Sequence, residues 1–509
     1  MATRAPASGL LLLLMCSHAL TAPGFGGPQQ PARAPIVPGK PFLVVWGIPD
    51  SACTGRPDPS AFGMERERQV AVFYEDSLGL YPYYSAQNQP VSGGLPQHTS
   101  LDVHLRRVEA DLTTALPSRD FGGLAVLRWD EWAPQWGRNR AKQEIYQEQS
   151  RALLRGFFPD WDHAEVERWA QVDFEAAAQA ILMETLREVK RLRPKALWGV
   201  APYPDCYNSG PSQRWANFTG CCPAAEMALN DELVWLWKRS SALYPTLQLD
   251  KLVGGTPGAR LYASNQVREA LRAAAMASSA YDLPVFPLVK SAYASTNTLL
   301  SETDLVNTVG ESAAMGAAGA IIWDKSLPPR TQRGCWELAD FMREVLGPYV
   351  VNVTSASRLC GMALCKGRGR CVRKNPEGPA YLHLPPASFL LLPGEGGGVQ
   401  AEGNLAPGDL EAWRRDFRCQ WYEALEDAAA DEQSPLGGVE EQDWEPPTST
   451  EQTVETGYTA GTAGTEMMET TGTPRDASQG VPLNKSGPPL SCRLIALLLL
   501  LSTKLLLTC

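Results

Sequence analysis

The sequence predicts an α/β fold: a parallel (β/α) barrel followed by a small disulfide-rich module. Three observations carry that expectation. From Pro41 to about Tyr349, short apolar runs alternate with stretches of helical period, the pattern of repeated β-α units around a parallel sheet. One run, GGLAVLRWDEWAPQW at Gly122 to Trp136, turns abruptly from apolar to charged and aromatic. A buried barrel strand does this where it delivers an active site. From Val351 the texture changes: Cys360, Cys365 and Cys371 crowd together among Gly and Arg, and Cys419 follows a Pro/Gly/Leu-rich loop.

The strands are expected at Phe42 to Trp46, Val70 to Tyr74, Leu124 to Trp129, Leu197 to Tyr203, Val285 to Val289 and Ala317 to Trp323. The clearest helix begins near Asp162, where Asp162 and Glu165 fit a variant of the capping box. Val166, Trp169, Phe174, Ala177, Ile181, Thr185 and Val189 then recur at helical spacing, and Pro194 ends the run. Ser301 with Asp304 marks another helix start, leading through Ala313 into the Ala317 strand.

Both ends of the chain read as address labels. Arg4, the apolar stretch Leu10 to Met15 and the small residues Ala19 to Ala22 form a secretory signal over residues 1–22. At the other end, small residues at Asn484, Ser486 and Gly487 precede a polar spacer and the apolar Leu494 to Leu501. That order fits a removed glycolipid-anchor signal over residues 488–509. The rival is a short transmembrane helix, but the apolar stretch falls below the roughly 20 residues a span needs. The expected location is therefore the secretory pathway and the cell surface, with membrane attachment through a lipid. Residues 422–487 are rich in Glu, Asp, Thr, Ser, Gly and Pro and lack apolar periodicity. They read as a disordered stalk. Sequons stand at Asn217, Asn352 and Asn484.

Composition narrows the chemistry. Of 509 residues, 44% are hydrophobic and 20% charged, and the net charge of −10 sits partly in the acidic stalk. There is no basic run and no paired CxxC. Nucleic acid is not an expected partner, and no metal or cofactor is expected. In the opening strand, residues two apart share a face. Arg128 and Asp130 therefore point together, and Glu131 points away. A surface ion pair ending a buried strand has the same pattern.

Several longer motifs add to this. They are VFYEDSLGLYPYY at Val72 to Tyr84, GGLPQ at Gly93 to Gln97, YPDCYN at Tyr203 to Asn208 and NDELVWLW at Asn230 to Trp237. GESAAMGAAGAIIW at Gly310 to Trp323 follows, then GPYVVNVT and GRGRCVR. In this order they resemble the hyaluronidase family of glycoside hydrolases, in layout its glycolipid-anchored cell-surface member, over roughly Pro41 to Cys419. The resemblance implies a distorted TIM-like barrel over residues 36–350 and an EGF-like module over 351–421. It implies hyaluronan, or a related glycosaminoglycan, as partner and cleavage of its β-1,4 bond after N-acetylglucosamine. In that family the substrate's own N-acetyl oxygen attacks the anomeric carbon, in place of a second protein carboxylate. A Glu protonates the leaving oxygen, and an Asp two residues earlier orients the acetamido group.

At the catalytic strand this chain departs from the family's D-W-E. It reads Arg128-Trp129-Asp130. A guanidinium only donates hydrogen bonds, so Arg128 cannot accept one from the acetamido N–H. Asp130 occupies the proton-donor position but is one methylene short, and small displacements of a general acid cost orders of magnitude. The family's tyrosines at two further positions are Ala201 and Gln248, and its arginine after the second tryptophan is Ala133. Tyr74 and Trp323 match and are expected to line the sugar site with Arg128. The resemblance also implies the pairs Cys53–Cys335, Cys206–Cys222, Cys360–Cys371 and Cys365–Cys419. The next module cysteine is Trp421, so the EGF-like module is truncated by one bridge. Cys221 is left over, with a buried free thiol as its simplest state. The expected function is a surface protein with weak or lost hydrolysis and retained glycan or protein binding. The alternative is an active, substrate-assisted endo-β-N-acetylhexosaminidase with Asp130 as proton donor. A purely adhesive role is the third class.

Overall fold

The computed structural model describes residues 30–423, apart from 50–52, 54, 56–57, 67–68, 209–217, 279, 295, 297 and 325–330. The signal, stalk and anchor segments, with Asn217 and Asn484, lie outside the described residues. Parallel strands form two sheets. β1 (Leu43–Trp46), β2 (Val70–Phe73), β3 (Leu124–Arg128), β4 (Leu197–Ala201), β5 (Thr246–Leu247), β6 (Leu288–Lys290) and β7 (Gly319–Trp323) follow in chain order. The four-stranded sheet runs β1-β7-β6-β5 and the three-stranded sheet β2-β3-β4. Every pairing within them is parallel.

The alternation within these strands sorts the core. Leu43, Val45, Leu124, Val126, Leu197, Ala201, Leu288, Ile321 and Trp323 pack together with Tyr244 and Phe286 in one interior cluster. Their neighbours point the other way, toward helices: Val44 and Trp46 into one outer cluster, Ala125 and Leu127 into another. Two glycines let the backbones close in on the interior. A Cβ at Gly199 would lie 2.2 Å from the Ala242 carbonyl oxygen, and one at Gly319 would lie 2.3 Å from that of Leu43. Either substitution forces the strands apart.

The long helix runs His163–Leu192. The Asp162 carboxylate accepts from Glu165 N–H and Glu165 reaches back to the cap, as its sequence requires. Its buried face is Val166, Ala170, Phe174, Ala178, Ile181, Thr185 and Val189. Trp169 and Ala177, expected on that face, are only half-buried at its margin. The Ser301 side chain caps its helix as expected, accepting from Asp304 N–H.

Three local expectations change. The Val285 strand begins only at Leu288. Val285 makes a single bridge to Leu243, because Pro284 and Pro287 supply no ladder donors. The Pro/Gly/Leu-rich loop is ordered, as an antiparallel hairpin of strands Phe389–Pro393 and Val399–Gly403, followed by a helix at Pro407–Asp416. Cys221 is exposed rather than buried. One helix, Gly347–Cys365, runs across the change of texture at Val351. The four expected cysteine pairs form, Cys53–Cys335, Cys206–Cys222, Cys360–Cys371 and Cys365–Cys419. The strands Gly369–Arg373 and Phe417–Trp421 pair beside the last two. Arg373 and Glu311 form an ion pair with side chains 1% and 0% exposed, joining this region to the helix before β7.

Candidate active site

Within each sheet the parallel strands end on one side, and side chains near those ends meet across the two sheets, Arg128 with Thr246 and Trp323 with Tyr74. Parity places Arg128 on the interior face after Leu124 and Val126, and Ala201 beside it as its registered partner. Trp323 and Lys290 are registered partners at the ends of β7 and β6. Tyr74 follows β2 immediately. The sequence-expected residues Tyr74, Arg128, Asp130, Ala201 and Trp323 are therefore brought to one place.

Arg128 is the centre of that place, 7% exposed. Its Nη1 donates to Thr246 Oγ1 at 2.9 Å, and its Nη2 lies 3.0 Å from Asp130 Oδ2. Its Cζ stands 4.2 Å from the centroid of the Trp323 ring. Trp323 Nε1–H in turn donates to Tyr74 Oη at 3.0 Å. One guanidinium thus covers the tryptophan face, spans to β5 and holds the Asp130 carboxylate as an acceptor. Two of its N–H donors and one of its faces are engaged within the protein.

Asp130 and Glu131 separate as strand parity requires. The Asp130 charge acts on Tyr81 and Tyr203, whose hydroxyls burial pushes well above their usual value. The Glu131 charge acts instead on Tyr146, likewise raised chiefly by burial. Gln143 Nε2 donates to both backbone oxygens, Asp130 O at 3.0 Å and Glu131 O at 3.2 Å, and fixes the turn. Behind it Tyr81 stacks on Trp129 at 4.8 Å and on Trp132 at 5.1 Å.

Ala201 is fully buried and leaves no hydroxyl at the rim. Gln248 is half-buried, with its backbone N–H donating to Tyr262 Oη at 3.3 Å. Ala133 is buried and held by Asn139 on both backbone groups. The motif residues around YPDCYN and NDELVWLW build the support. Asn230 donates to Asp205 O and Glu269 Oε1 and accepts from Arg138. Burial raises the Asp205 carboxyl, which accepts from Gln266 and Tyr207 N–H.

Lys290 escaped the sequence reading. It is half-buried beside Trp323, and among the described residues no side chain pairs with its ammonium. Its signal was the charged end of the apolar Pro-Leu-Val-Lys run, the same signal as at Arg128. Asn352, an expected glycosylation position, lies mid-helix, and its Oδ1 accepts from Leu384 N–H at 2.8 Å. Among the described residues no cluster of three His, Cys, Asp or Glu has metal-binding geometry.

The comparisons agree with this geometry. A family model described as hyaluronidase matches residues 31–434. Hyaluronidase-2 of Mus musculus is 39% identical over 412 residues, 78% of this chain and 87% of that protein. Hyaluronidase-1 of Homo sapiens is 40% identical over 406 residues, 77% of this chain and 92% of that one. The crystal structure of bee venom hyaluronidase matches with a TM-score of 0.56 at 30% identity, covering 61% of this chain and 99% of that one. Bee venom hyaluronidase in complex with a hyaluronic acid tetramer matches with the same score at 29% identity, covering 61% and 98%. A family match over residues 31–434, relatives near 40% identity and a parallel-stranded fold with charged residues at its strand ends together place the chain in the hyaluronidase family.

Proposed function

We propose that this protein is a glycan-binding member of its family whose hydrolysis is weak or lost, with hyaluronan or a related glycosaminoglycan as ligand. The observation that carries this is the guanidinium of Arg128, engaged at once by Trp323, Thr246 and Asp130. It stands where the family uses Asp to hold the acetamido group, and it presents no acceptor there. The Asp130 side chain, 35% exposed, faces that guanidinium, whereas a general acid must reach the leaving oxygen. Ala201 and Gln248 remove two more hydroxyls from the sugar site. Binding is supported by the retained Tyr74 and Trp323 and by the Lys290 ammonium, which has no partner among the described residues and suits the carboxylate of an acidic sugar.

The rest of the reading frames that site. The two parallel sheets are halves of one distorted barrel, supported by Ala242 N–H donating to Trp198 O at 3.2 Å and Trp46 N–H to Glu65 O at 2.9 Å, beyond the edges of the named pairings. Residues 351–421 are a truncated EGF-like module. The protein enters the secretory pathway, carries sugar at Asn217, and is held at the cell surface by a glycolipid. No helix of the described residues is long and apolar enough to cross a membrane. The test is a gel assay of purified, anchor-less protein on high-molecular-weight hyaluronan from acidic to neutral pH. The polymer should keep its length. Shortening that disappears in Asp130→Asn overturns the proposal and establishes Asp130 as the proton donor.

A further inference from the structure

We propose that the opposite, N-terminal end of the barrel holds a binding site for a small tetrahedral oxyanion, phosphate or sulfate, centred on Arg370. A cavity opens there, floored by Leu43, Leu197 and Phe286 and walled by Arg33, Arg370 and Tyr422. Leu43 and Leu197 are the first residues of β1 and β4, so this cavity lies at the far end of the barrel from Arg128.

Arg370 is 4% exposed. Its guanidinium carries five N–H donors. Among the described residues it makes one hydrogen bond, from Nε to Gln420 Oε1 at 3.0 Å, and no ion pair. The Asp282 carboxylate acts on its charge without an ion pair among the described residues, and accepts instead from Gln420 Nε2 at 2.9 Å. A buried cation with most donors unused is costly unless an anion answers it. Tyr422 Oη in the same wall is buried and has no hydrogen-bond partner. Burial pushes that hydroxyl up to about 12, so it remains a donor at neutral pH. Arg33 supplies a second cation without an ion pair among the described residues, and Lys40 also lines the cavity, tied to Glu65 at 2.6 Å. The apolar floor lowers the local dielectric and strengthens each contact.

The three ligands come from separate stretches. Arg33 precedes β1, Arg370 lies on the Gly369–Arg373 strand, and Tyr422 follows that strand's partner, Phe417–Trp421. A bound oxyanion therefore ties the C-terminal strand pair to the barrel floor, and its occupancy reads out as stability.

The experiment follows the unfolding temperature of the anchor-less protein during phosphate titration, with sodium chloride at matched ionic strength as control. Phosphate should give a saturable rise that chloride does not. Arg370→Gln should abolish it, and Arg33→Gln combined with Tyr422→Phe should weaken the apparent affinity at least roughly tenfold. The second variant keeps the test decisive if Arg370→Gln does not fold. Equal responses to phosphate and chloride overturn the proposal. So does a phosphate response that the Arg33→Gln, Tyr422→Phe protein retains in full.

Discussion

Replacing Arg128 with Ala separates a structural role at the rim from a ligand contact. Three interactions go. The hydrogen bond to Thr246, from a charged donor at 2.9 Å, is worth about 1.5 kcal/mol. The stack over Trp323 at 4.2 Å adds about 1 kcal/mol at a partly shielded site. The pair with Asp130, whose side chain is 35% exposed, adds about 0.5 kcal/mol after solvent screening. Neighbouring terms do not add fully, so the expected loss is about 2–3 kcal/mol. In a domain of this size that lowers the unfolding temperature by about 3 °C. Retention on immobilised hyaluronan should stay within about twofold of the parent protein, because the guanidinium is 7% exposed and tied to Thr246, Asp130 and Trp323, and a twofold change is about 0.4 kcal/mol. Calorimetric unfolding and column retention on the same preparation check both numbers. Retention lost with unfolding temperature unchanged refutes the reasoning and makes Arg128 a glycan contact.

Lys290→Ala should do the opposite: little change in stability, several-fold weaker retention, and a shallower dependence of retention on salt, read on the same column. Glu311→Ala leaves the Arg373 guanidinium buried and should cost about 3–4 kcal/mol in denaturant unfolding, whereas Glu311→Leu with Arg373→Met should cost far less. Opening Cys365–Cys419 by paired Ser substitutions releases a 54-residue separation, for about 4 kcal/mol on the chain-entropy estimate. Burial pushes the Asp282 carboxyl up to about 6, against the opposing pull of Arg370 and Gln420. A raised folded-state value stabilises fully below the unfolded value near 4 and is lost as pH rises through about 6. Asp282→Asn should flatten the fall in unfolding temperature between about pH 4 and 6.5.

The parallel strands were legible because their cores are continuous apolar runs, and because parity survives to the last residue of each. That is why sequence alone puts Arg128 and Asp130 together and Glu131 apart. β5 was not legible: Thr246 and Leu247 alone make no run. The hairpin at Phe389 was hidden by composition, since its Gly and Pro residues supply the turn rather than forbid the strands. Cys206–Cys222 and its three companions came from the family resemblance, since spacing alone leaves many pairings open.

What sequence could not give is occupancy: which charges spend their bonds inside the protein and which remain for a ligand. Arg128 and Lys290 carry the same signal, a cation closing an apolar strand. The difference lies in neighbours that are distant in sequence. Arg128 meets Thr246 and Trp323 across the rim, while Lys290 stands beside Trp323 with its ammonium unpaired among the described residues. The same distinction separates the buried cations below. Arg373 pairs with Glu311, but among the described residues Arg370 hydrogen-bonds to an amide and forms no ion pair. A residue's chemistry is written in the sequence, but whether that chemistry is already spent is a property of the fold. On that criterion Lys290 and Arg370 are the two cations proposed to face a ligand.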